Sequence, residues 1–452
     1  MLSRQNTDNR NTFEIVSLEE MVPADHLLRK VDAVLDLDFV YDIVTEKYTL
    51  DNGRPSIDPV VLVKIVLIQK LFGIRSMRQT IREIETNMAY RWYLGLGFAD
   101  RVPHFSTFGK NYTRRFSDNI LFEAIFARII DLAMVHGLID TSHLYIDSTH
   151  IKANANRNRY THADHVQTAR AYQAALDAEI NRQRVQDGKK PMPPNDSPLP
   201  VRRRKVSTTD PDAGYYVKGE RERQFAYSWH ACCDANGFII DHHVTPGNIH
   251  DSTQLPVMVD RLEARGILPL TLAVDAGYKT PHNAHFLLSK TIVPCMPYTR
   301  PHGVQGMFTT RDFLYDAHYD QYICPNDAVL TYRRTDREGK KLYMSDPAQC
   351  WDCPLLAQCT TSRTHVRQIQ RHVWQDDLDI VEDLRHVDTI KQQYQMRSQT
   401  IERRFGDAKE QHGMRWTKYR GIGKVTMDAM LVGVALNLKK LATWVGSAPI
   451  HA

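Results

Sequence analysis

The sequence has no apolar run that approaches the roughly 20 residues needed to cross a bilayer. Its start, MLSRQNTDNRNTFEIV, has no apolar segment like that of a signal peptide. Cysteine is scarce: the seven residues are an odd number, and nothing suggests secretion, so a disulfide framework is not expected. These absences predict a soluble cytoplasmic protein that has no part in a membrane.

A strong excess of either charge is also missing. The 452 residues carry 58 Lys and Arg against 53 Asp and Glu, a net charge of +5, and the ordinary apolar content of 42% argues against general disorder. The surplus is local, however. Residues 397–424 contain eight basic and three acidic side chains, and Arg202 to Lys205 form a second basic cluster. Clustered cations favour a polyanionic partner, and a solvated basic face is the alternative.

The first part of the chain, residues 1–140, is predicted to be an all-α domain. An apolar stretch from Pro59 to Phe72 follows the helix-start signal Asp58-Pro59, and apolar residues recur at helical spacing from Met77 to Leu94. A further helical run with exposed cations follows Ser106. These helices fit either a DNA-binding bundle or a plain packing domain.

The pattern changes at His143, where a mixed α/β core is predicted for residues 141–445. A β-rich run, LYIDST, comes first, and a hairpin is predicted at the turn 234–237. The other predicted strands are 225–233, 238–245, 270–275 and 291–296, and the predicted helices are 251–265, 282–289 and much of 387–444.

Two segments interrupt this core. Residues 152–222 are polar, basic and proline-containing; 164–184 is predicted to be helical and the remainder a mobile loop. The second segment, residues 300–385, contains four of the cysteines.

Two aspartates follow short apolar runs in the core. Asp147 comes after Leu144-Tyr145-Ile146, and Asp275 ends the run Leu272-Ala273-Val274. A carboxylate among buried positions is costly unless it is paired or binds a metal. Two divalent cations about 4 Å apart can activate a nucleophile and stabilise a leaving oxygen in phosphodiester cleavage. A plain turn residue at a strand end is the alternative for either aspartate.

A third carboxylate is expected from a helix. On one continuous ideal helix Tyr394, Glu402 and Lys409 share a face, although an ordinary surface charge pair is the alternative for Glu402 and Lys409. Asp251 is a rival for the second carboxylate, but its position predicts a helix N-cap; its neighbour His250 is expected to be structural. Glu410 is a rival for Glu402 that points about 90° away.

Four ordered motifs, YIDSTHIKANAN, VTPGNIHDS, VDAGY and IERRFGDAKEQHGMRWTKYRG, resemble those of insertion-sequence transposases of the DDE type. The family numbered 1182, related to the fourth and fifth insertion-sequence families, is the most similar, and VPHFSTF resembles its helical N-terminal domain. The resemblance implies a ribonuclease H-like catalytic domain with insertions. It also implies that Asp147, Asp275 and Glu402 bind two Mg²⁺ ions, for which Mn²⁺ could substitute.

Related families carry a Tyr-Arg-Glu-Lys signature that also contacts DNA ends. Tyr394, Arg397, Glu402 and Lys409 resemble it, but the Tyr–Arg pair lies one residue further from the glutamate than the pattern expects. On an ideal helix Arg397 would point about 140° from Glu402. Further candidate DNA contacts are the cations and aromatic residues that follow, although packing explains the aromatics equally well: Arg415, Trp416, Lys418, Tyr419 and Arg420.

The cysteine cluster has two interpretations. Cys350 and Cys353 have the spacing with which two thiolates reach one zinc ion, and Cys324 and Cys359 complete a set of four. Similar arrangements occur in the resembling transposases. Free thiols without metal are the other interpretation.

The expected function is therefore to bind transposon ends, cleave double-stranded DNA with Mg²⁺, and join the freed 3′ ends to target DNA. Holding two ends together predicts a homodimer that associates with the nucleoid of a prokaryote. Two other functions remain open: an inactive DNA-binding protein derived from a transposase, and a metal-dependent nuclease without strand transfer.

Overall fold

A computed structural model describes residues 10, 12–48, 56–166, 172–194, 201–219, 222–299 and 304–445. Within those ranges no helix is both long enough and apolar enough to span a bilayer.

Helices make up the described part of the chain before His143. They are α1 (Leu18–Met21), α2 (Leu27–Val34), α3 (Phe39–Val44), α4 (Pro59–Leu71), α5 (Met77–Thr86), α6 (Met88–Leu94), α7 (Ser106–Asn111), which runs into a π-helical turn (Tyr112–Phe116), and α8 (Ile120–Val135). Asp58 caps α4 as its sequence predicts. The helical structure predicted from Met77 to Leu94 is confirmed with one break: Asn87 has an extended backbone and its side chain caps α6.

The α/β part follows. Its first elements are β1 (His143–Lys152), β2 (Tyr160–Val166), α9 (Gln173–Gln186), β3 (Val201–Ser207), β4 (Gly214–Lys218), β5 (Glu222–Asp234), β6 (Ile239–Pro246), α10 (Leu255–Ala264), β7 (Thr271–Ala273), α11 (Pro281–Ser289) and β8 (Val293–Cys295). The remaining elements are β9 (Leu314–Asp316), β10 (Gln321–Ile323), β11 (Val329–Thr335), β12 (Lys340–Ser345), α12 (Pro347–Cys350), α13 (Leu356–Cys359), β13 (Gln368–His372), α14 (Gln375–Leu384), α15 (Asp388–Gln395), α16 (Ile401–Gln411) and α17 (Ile422–Val445).

The central sheet has six strands. β5 pairs antiparallel with β1 along one edge and with β4 and β6 along the other. On its far side β1 pairs parallel with β7, which pairs parallel with β8. The predicted hairpin between β5 and β6 is confirmed: Gly237 has a φ of 78°, and Asp234 accepts a hydrogen bond from the Phe238 amide at 2.7 Å.

The mobile loop predicted within residues 152–222 is wrong where three strands, β2, β3 and β4, form instead. β2 and β3 form a two-stranded antiparallel ribbon, and β4 joins the central sheet. The helix expected over 164–184 is corrected too: residues 164–166 end β2, α9 covers 173–186, and 167–171 lie outside the described residues. Leu176 and Ile180 of α9 pack against Val373 and Trp374, so the two insertions contact each other.

The cysteine-containing insertion forms its own five-stranded antiparallel sheet, in the order β13-β12-β11-β10-β9. A small core supports it, made of Phe313, Tyr322, Leu330, Tyr343 and Ile369.

The last helix, α17, connects the two halves of the chain. It packs against α2, α4 and α8 of the helical part and against β6 of the sheet. The Asn437 side chain donates to the Ile239 carbonyl and accepts from the Ile239 amide, both at 2.8 Å. The predicted boundary near residue 140 lies between α8 and β1, yet α17 shares one apolar core with the helices before it.

Candidate active site

The parallel pairing of β1 and β7 brings two aspartates side by side. Tyr145 of β1 is the register partner of Ala273 of β7. Asp147 lies two residues beyond Tyr145, and Asp275 lies two residues beyond Ala273. Because parallel strands run in one direction, the two aspartates lie at the same level of the neighbouring chains, and the charge of Asp275 acts on Asp147.

Asp147 is held from two directions. Its Oδ1 accepts from the Ser148 amide at 2.8 Å, and its Oδ2 accepts from Arg397 Nη2 at 2.7 Å. Burial raises the pKa of Asp147 to about 6. The charge of Arg397 lowers this pKa, and the charges of Asp275 and Asp251 raise it further. The carboxylates of Asp251 and Asp275 therefore both interact electrostatically with that of Asp147.

Asp275 caps the short turn that follows β7. Its Oδ1 accepts from the Gly277 amide at 2.8 Å. A Cβ at Gly277 would lie 3.1 Å from that oxygen, so glycine lets the backbone approach the carboxylate closely.

Glu402 lies on the other side of Arg397. It is the second residue of α16, its side chain is half exposed, and its Oε1 lies 3.7 Å from Arg397 Nη1. The guanidinium of Arg397, itself only 5% exposed, therefore stands between Asp147 and Glu402.

The continuous helix assumed for Tyr394, Glu402 and Lys409 is wrong. α15 ends at Gln395, a 3-10 turn covers Met396–Ser398, and α16 begins only at Ile401. The expected 140° separation of Arg397 from Glu402 fails for the same reason. Tyr394 is in α15, where its ring centroid lies 5.5 Å beneath the Arg397 guanidinium.

Asp251 is not the N-cap that its sequence predicts. His250 caps the short turn instead, since its Nδ1 accepts from the Ser252 amide. Asp251 Oδ1 lies 3.8 Å from Nδ1 of His230, a buried residue of β5 that the sequence reasoning missed. Burial lowers the pKa of His230 to about 3, so this histidine is neutral. Its position inside an apolar strand was the available signal.

Lys409 lies near the carboxylates between two cavities. One, of about 270 Å³, is lined by Ser148, Lys218 and Arg415 among others. The other, of about 340 Å³, includes Lys70 and Lys418. Burial lowers the pKa of Lys409, and nearby Arg415 and Lys218 lower it further. Cationic side chains therefore surround the approach to the site.

The segment after α16 runs alongside the end of β1. The Lys152 amide donates to the Arg415 carbonyl at 3.1 Å, and the Thr417 amide donates to the Lys152 carbonyl at 2.9 Å. This pairing leaves the Trp416 side chain at the surface, 60% exposed. The strand that carries Asp147 thus also fixes the position of Trp416.

The other candidate DNA contacts of this segment differ in exposure. Arg420 is exposed and donates to the Asn154 carbonyl, whereas Tyr419 packs against the helical core. Lys418 is half-buried, and burial lowers its pKa. Arg415 pairs with the rival carboxylate Glu410, and both are exposed.

Each of the four insertion cysteines is partly exposed, and Cys324 and Cys359 both pack against the small core of this insertion. Burial raises the pKa of Cys359, and the other three thiols raise it further. Cys324 Sγ accepts backbone hydrogen bonds from Asn326 at 3.4 Å and from Ala328 at 3.3 Å. Three further cysteines are fully buried core residues: Cys232, Cys233 and Cys295.

Metal sites were predicted at the carboxylates and at the cysteines. In the part of the chain that the structure describes, no three His, Cys, Asp or Glu side chains form a ready-made group able to hold a metal ion. At the carboxylates, the Arg397 guanidinium occupies the space between Asp147 and Glu402.

Comparisons with known protein families give matches in the first and the last parts of the chain. Residues 16–114 match a family model described as a transposase domain (DUF772), and residues 323–442 match one described as a transposase DDE domain. The second match includes Glu402 but neither Asp147 nor Asp275. Searches of curated proteins and of solved structures return no match. Two transposase models on one chain agree with the ordered motifs, and the protein belongs to the insertion-sequence transposases of the DDE type.

Proposed function

We propose that this transposase binds the ends of its mobile element and cuts and joins DNA strands at a site formed by Asp147, Asp275 and Glu402. The observation that supports the proposal is the register of β1 and β7: Asp147 and Asp275 each follow the register pair Tyr145 and Ala273 by two residues. The raised pKa of Asp147 supports it, because such shifts are common where a carboxylate serves a catalytic or metal-binding role.

A ribonuclease H-like fold is part of this proposal. The order β6-β5-β1-β7-β8, with the first three strands antiparallel and the last three parallel, is the arrangement expected of such a domain. The catalytic residues then come from the central strand, from the end of its parallel neighbour and from a helix that packs on the sheet.

The proposal includes a pair of Mg²⁺ ions, with Mn²⁺ as a substitute, although the carboxylates of the described residues form no ready-made metal site. Hard divalent cations prefer carboxylate oxygens, and the buried Asp147 lies within the electrostatic influence of Asp275 and Asp251. Asp147, Asp275 and Glu402 would hold the ions. Bound there, the metals would activate the attacking water or 3′ hydroxyl and stabilise the leaving oxygen.

Basic side chains of the protein would position the carboxylates and neutralise the phosphate charges of DNA. Arg397 holds the Asp147 carboxylate from one side and lies near Glu402 on the other, so we assign it a positioning role and not the DNA contact expected from the signature. Tyr394 supports the guanidinium from below. Lys409, Arg415 and Arg420 would pair with phosphates, and these contacts make the binding salt-dependent.

Trp416 would stack on a base near the DNA end, because its exposed ring stands beside the strand that carries Asp147. Tyr419 and Lys418 would support this surface from beneath. Joining two ends requires both to be held at once, so a homodimer on double-stranded DNA in the cytoplasm is included in the proposal.

A structural zinc ion in the cysteine-containing insertion is a separate part of the proposal. Cys324, Cys350, Cys353 and Cys359 would hold it. Two backbone amides already donate to the Cys324 sulfur and hold it in position.

The test combines a plasmid cleavage assay with a strand-transfer assay on labelled element ends. Asp147→Asn, Asp275→Asn and Glu402→Gln should each abolish Mg²⁺-dependent cleavage and joining, while end binding and circular dichroism stay as in the wild type. Glu410→Gln, a matched change on the same helix as Glu402, should remain active.

The outcomes of these assays distinguish a transposase from the two alternative functions. Cleavage without joining would make the protein a metal-dependent nuclease. DNA binding with no cleavage in the wild type would make it an inactive, transposase-derived DNA-binding protein. Full activity in the three carboxylate variants would reject the assigned site.

A further inference from the structure

The ribbon of β2 and β3 has two faces that differ in charge. Because side chains alternate along a strand, register partners share a face. His165 pairs with Arg202, and Ala163 pairs with Arg204, so both arginines project from one face together with Thr161. This face, defined by Arg202 and Arg204, is called the arginine face below. It carries no carboxylate among the described residues.

The opposite face is partly neutralised and partly covered. Asp164 is the register partner of Arg203. Lys205 lies over the rings of Tyr160 and Tyr215, with its Nζ 4.4 Å and 4.8 Å from their centroids. Among the described residues, the arginine face therefore carries two cations and no carboxylate, whereas the opposite face carries two cations and one carboxylate.

Arg202 and Arg204 of the arginine face lack a partner among the residues that the structure describes. Across the described ranges, neither Arg202 nor Arg204 makes a side-chain hydrogen bond or an ion pair, and Arg202 is exposed. Ion pairs elsewhere satisfy many arginines of this chain, such as Arg261 with Asp241 at 2.7 Å. Two unpaired guanidinium groups on one ribbon face suit an external anion.

The base of the ribbon is fixed beside the candidate DNA-binding segment. The loop after β3 carries Asp210 and Asp212, which accept backbone hydrogen bonds from Gly421 at 3.0 Å and from Ile422 at 2.9 Å. Asp210 also accepts from the buried hydroxyl of Tyr227, a residue of the central sheet. The ribbon is thus tied to the segment that follows Arg420.

A groove connects the ribbon base with Trp416. It has a volume of about 700 Å³ and is lined by Lys152, Asn154, Arg159, Trp416 and Arg420, among others. The carbonyl of Arg159 accepts from the Thr208 amide at 3.2 Å, just where the ribbon begins. A polyanion that lies over Trp416 can therefore continue along cationic surface to the ribbon.

We infer that the arginine face is a second DNA-binding surface, which grips backbone phosphates of the duplex whose end lies at Trp416. The inference rests on the proposed function, since DNA is the partner in both. Residues two apart on a strand lie about 6.6–6.8 Å from each other, so Arg202 and Arg204 can reach different phosphates. A two-stranded ribbon also fits the major groove of a duplex.

The test measures binding of a fluorescent DNA duplex to the full chain at several salt concentrations. Each phosphate contact contributes about −0.9 to the slope of log K against log salt. The double variant Arg202→Ala/Arg204→Ala should therefore lower the magnitude of the slope by about 1.8. The affinity advantage of the wild type should shrink about 12-fold between about 50 mM and about 200 mM salt.

The matched control is Arg203→Ala, a change on the same strand but on the opposite face, which should leave the slope close to that of the wild type. Arg202→Lys/Arg204→Lys should keep most of the slope, because the charges remain. Circular dichroism checks that each variant is folded.

Two failures can be told apart. If the wild type binds DNA, Arg415→Ala/Arg420→Ala weakens that binding, and the ribbon variant binds as tightly as the wild type at every salt concentration, the inference is overturned and the proposed function stands. If the wild type binds no DNA, both are overturned.

Discussion

Arg397 donates a hydrogen bond from Nη2 to Oδ2 of Asp147 across 2.7 Å, although the two residues lie 250 positions apart in the chain. Even with this partner, burial keeps the pKa of Asp147 at about 6. The folded protein thus carries a carboxylate whose charge is only partly compensated at neutral pH. A divalent cation would compensate the remaining negative charge of this carboxylate.

Asp147→Asn should raise the free energy of unfolding at pH 8 in EDTA while abolishing cleavage. The pKa of Asp147 rises from 3.8 in the unfolded chain to about 6 in the fold, so ionisation costs stability as the pH rises from about 4 to about 6. The shift corresponds to about 3 kcal/mol. Denaturant unfolding should show the variant as more stable at pH 8, with the difference vanishing below pH ~4. Asp260→Asn, an exposed change, is the control; equal stability of Asp147→Asn and wild type at pH 8 would contradict the argument.

Arg397→Gln should move the acid limb of the cleavage pH profile to higher pH. Arg397 is the main group that lowers the pKa of Asp147, so its loss leaves the carboxylate protonated over a wider range. Cleavage measured in single turnover, and the pH dependence of Mn²⁺ binding, would both report the shift. Arg415→Gln, a change at the exposed rim, should leave the limb in place. An unchanged limb in Arg397→Gln would show that the ion pair does not control Asp147.

Asp251→Asn should move the same limb in the opposite direction. The charge of Asp251 raises the pKa of Asp147, so a neutral side chain lets Asp147 ionise at lower pH. Because His230 is neutral, the substitution breaks no ion pair with it. The same two measurements apply, and a shift towards higher pH would be inconsistent with the observed geometry.

Trp416→Ala should weaken binding of element ends by about 5-fold to 150-fold, which corresponds to about 1–3 kcal/mol for a lost base–aromatic stack. Trp416→Phe should retain much of the affinity, since it keeps an aromatic face. Trp351→Ala is the matched control, because Trp351 is similarly exposed but lies in the cysteine-containing insertion. If both alanine variants bind equally well, stacking at Trp416 is excluded.

Purified protein should contain about one zinc ion per chain, held by the four insertion cysteines as in structural zinc sites. Cys350→Ser/Cys353→Ser should lose this metal and melt at lower temperature, as should the wild type treated with a strong chelator. Cys295→Ala, a change in the buried core, should lower the melting temperature but keep the zinc. Elemental analysis distinguishes the two cases, and wild-type protein free of zinc would favour the free-thiol interpretation.

Much of the α/β core could be predicted from sequence because its signals are local. The apolar runs before Asp147 and Asp275, and the turn residues before Gly237, each describe one strand or one turn. The parallel pairing of β1 with β7 then brings the first two of these runs side by side. The cap of α4 at Asp58 was equally local.

The failures have a different physical origin. The direction of the Arg397 side chain was mispredicted because helical periodicity assumes an unbroken helix. The 3-10 turn before Ile401 interrupts the helix and changes the direction in which this side chain points. The β2–β3 ribbon was missed because neither strand buries a full face, so no apolar alternation marks it. His230 was missed because its partner, Asp251, comes from another element.

The packing of α17 makes the chain interdependent from end to end. Residues 422–445 complete the apolar interior that α2, α4 and α8 begin. On a ribosome, those early helices emerge long before the segment that covers them, so they cannot reach their final packing until synthesis has passed residue 445. A shortened product that stops before α17 would expose this interior to proteases, which couples the survival of the helical part to translation through α17.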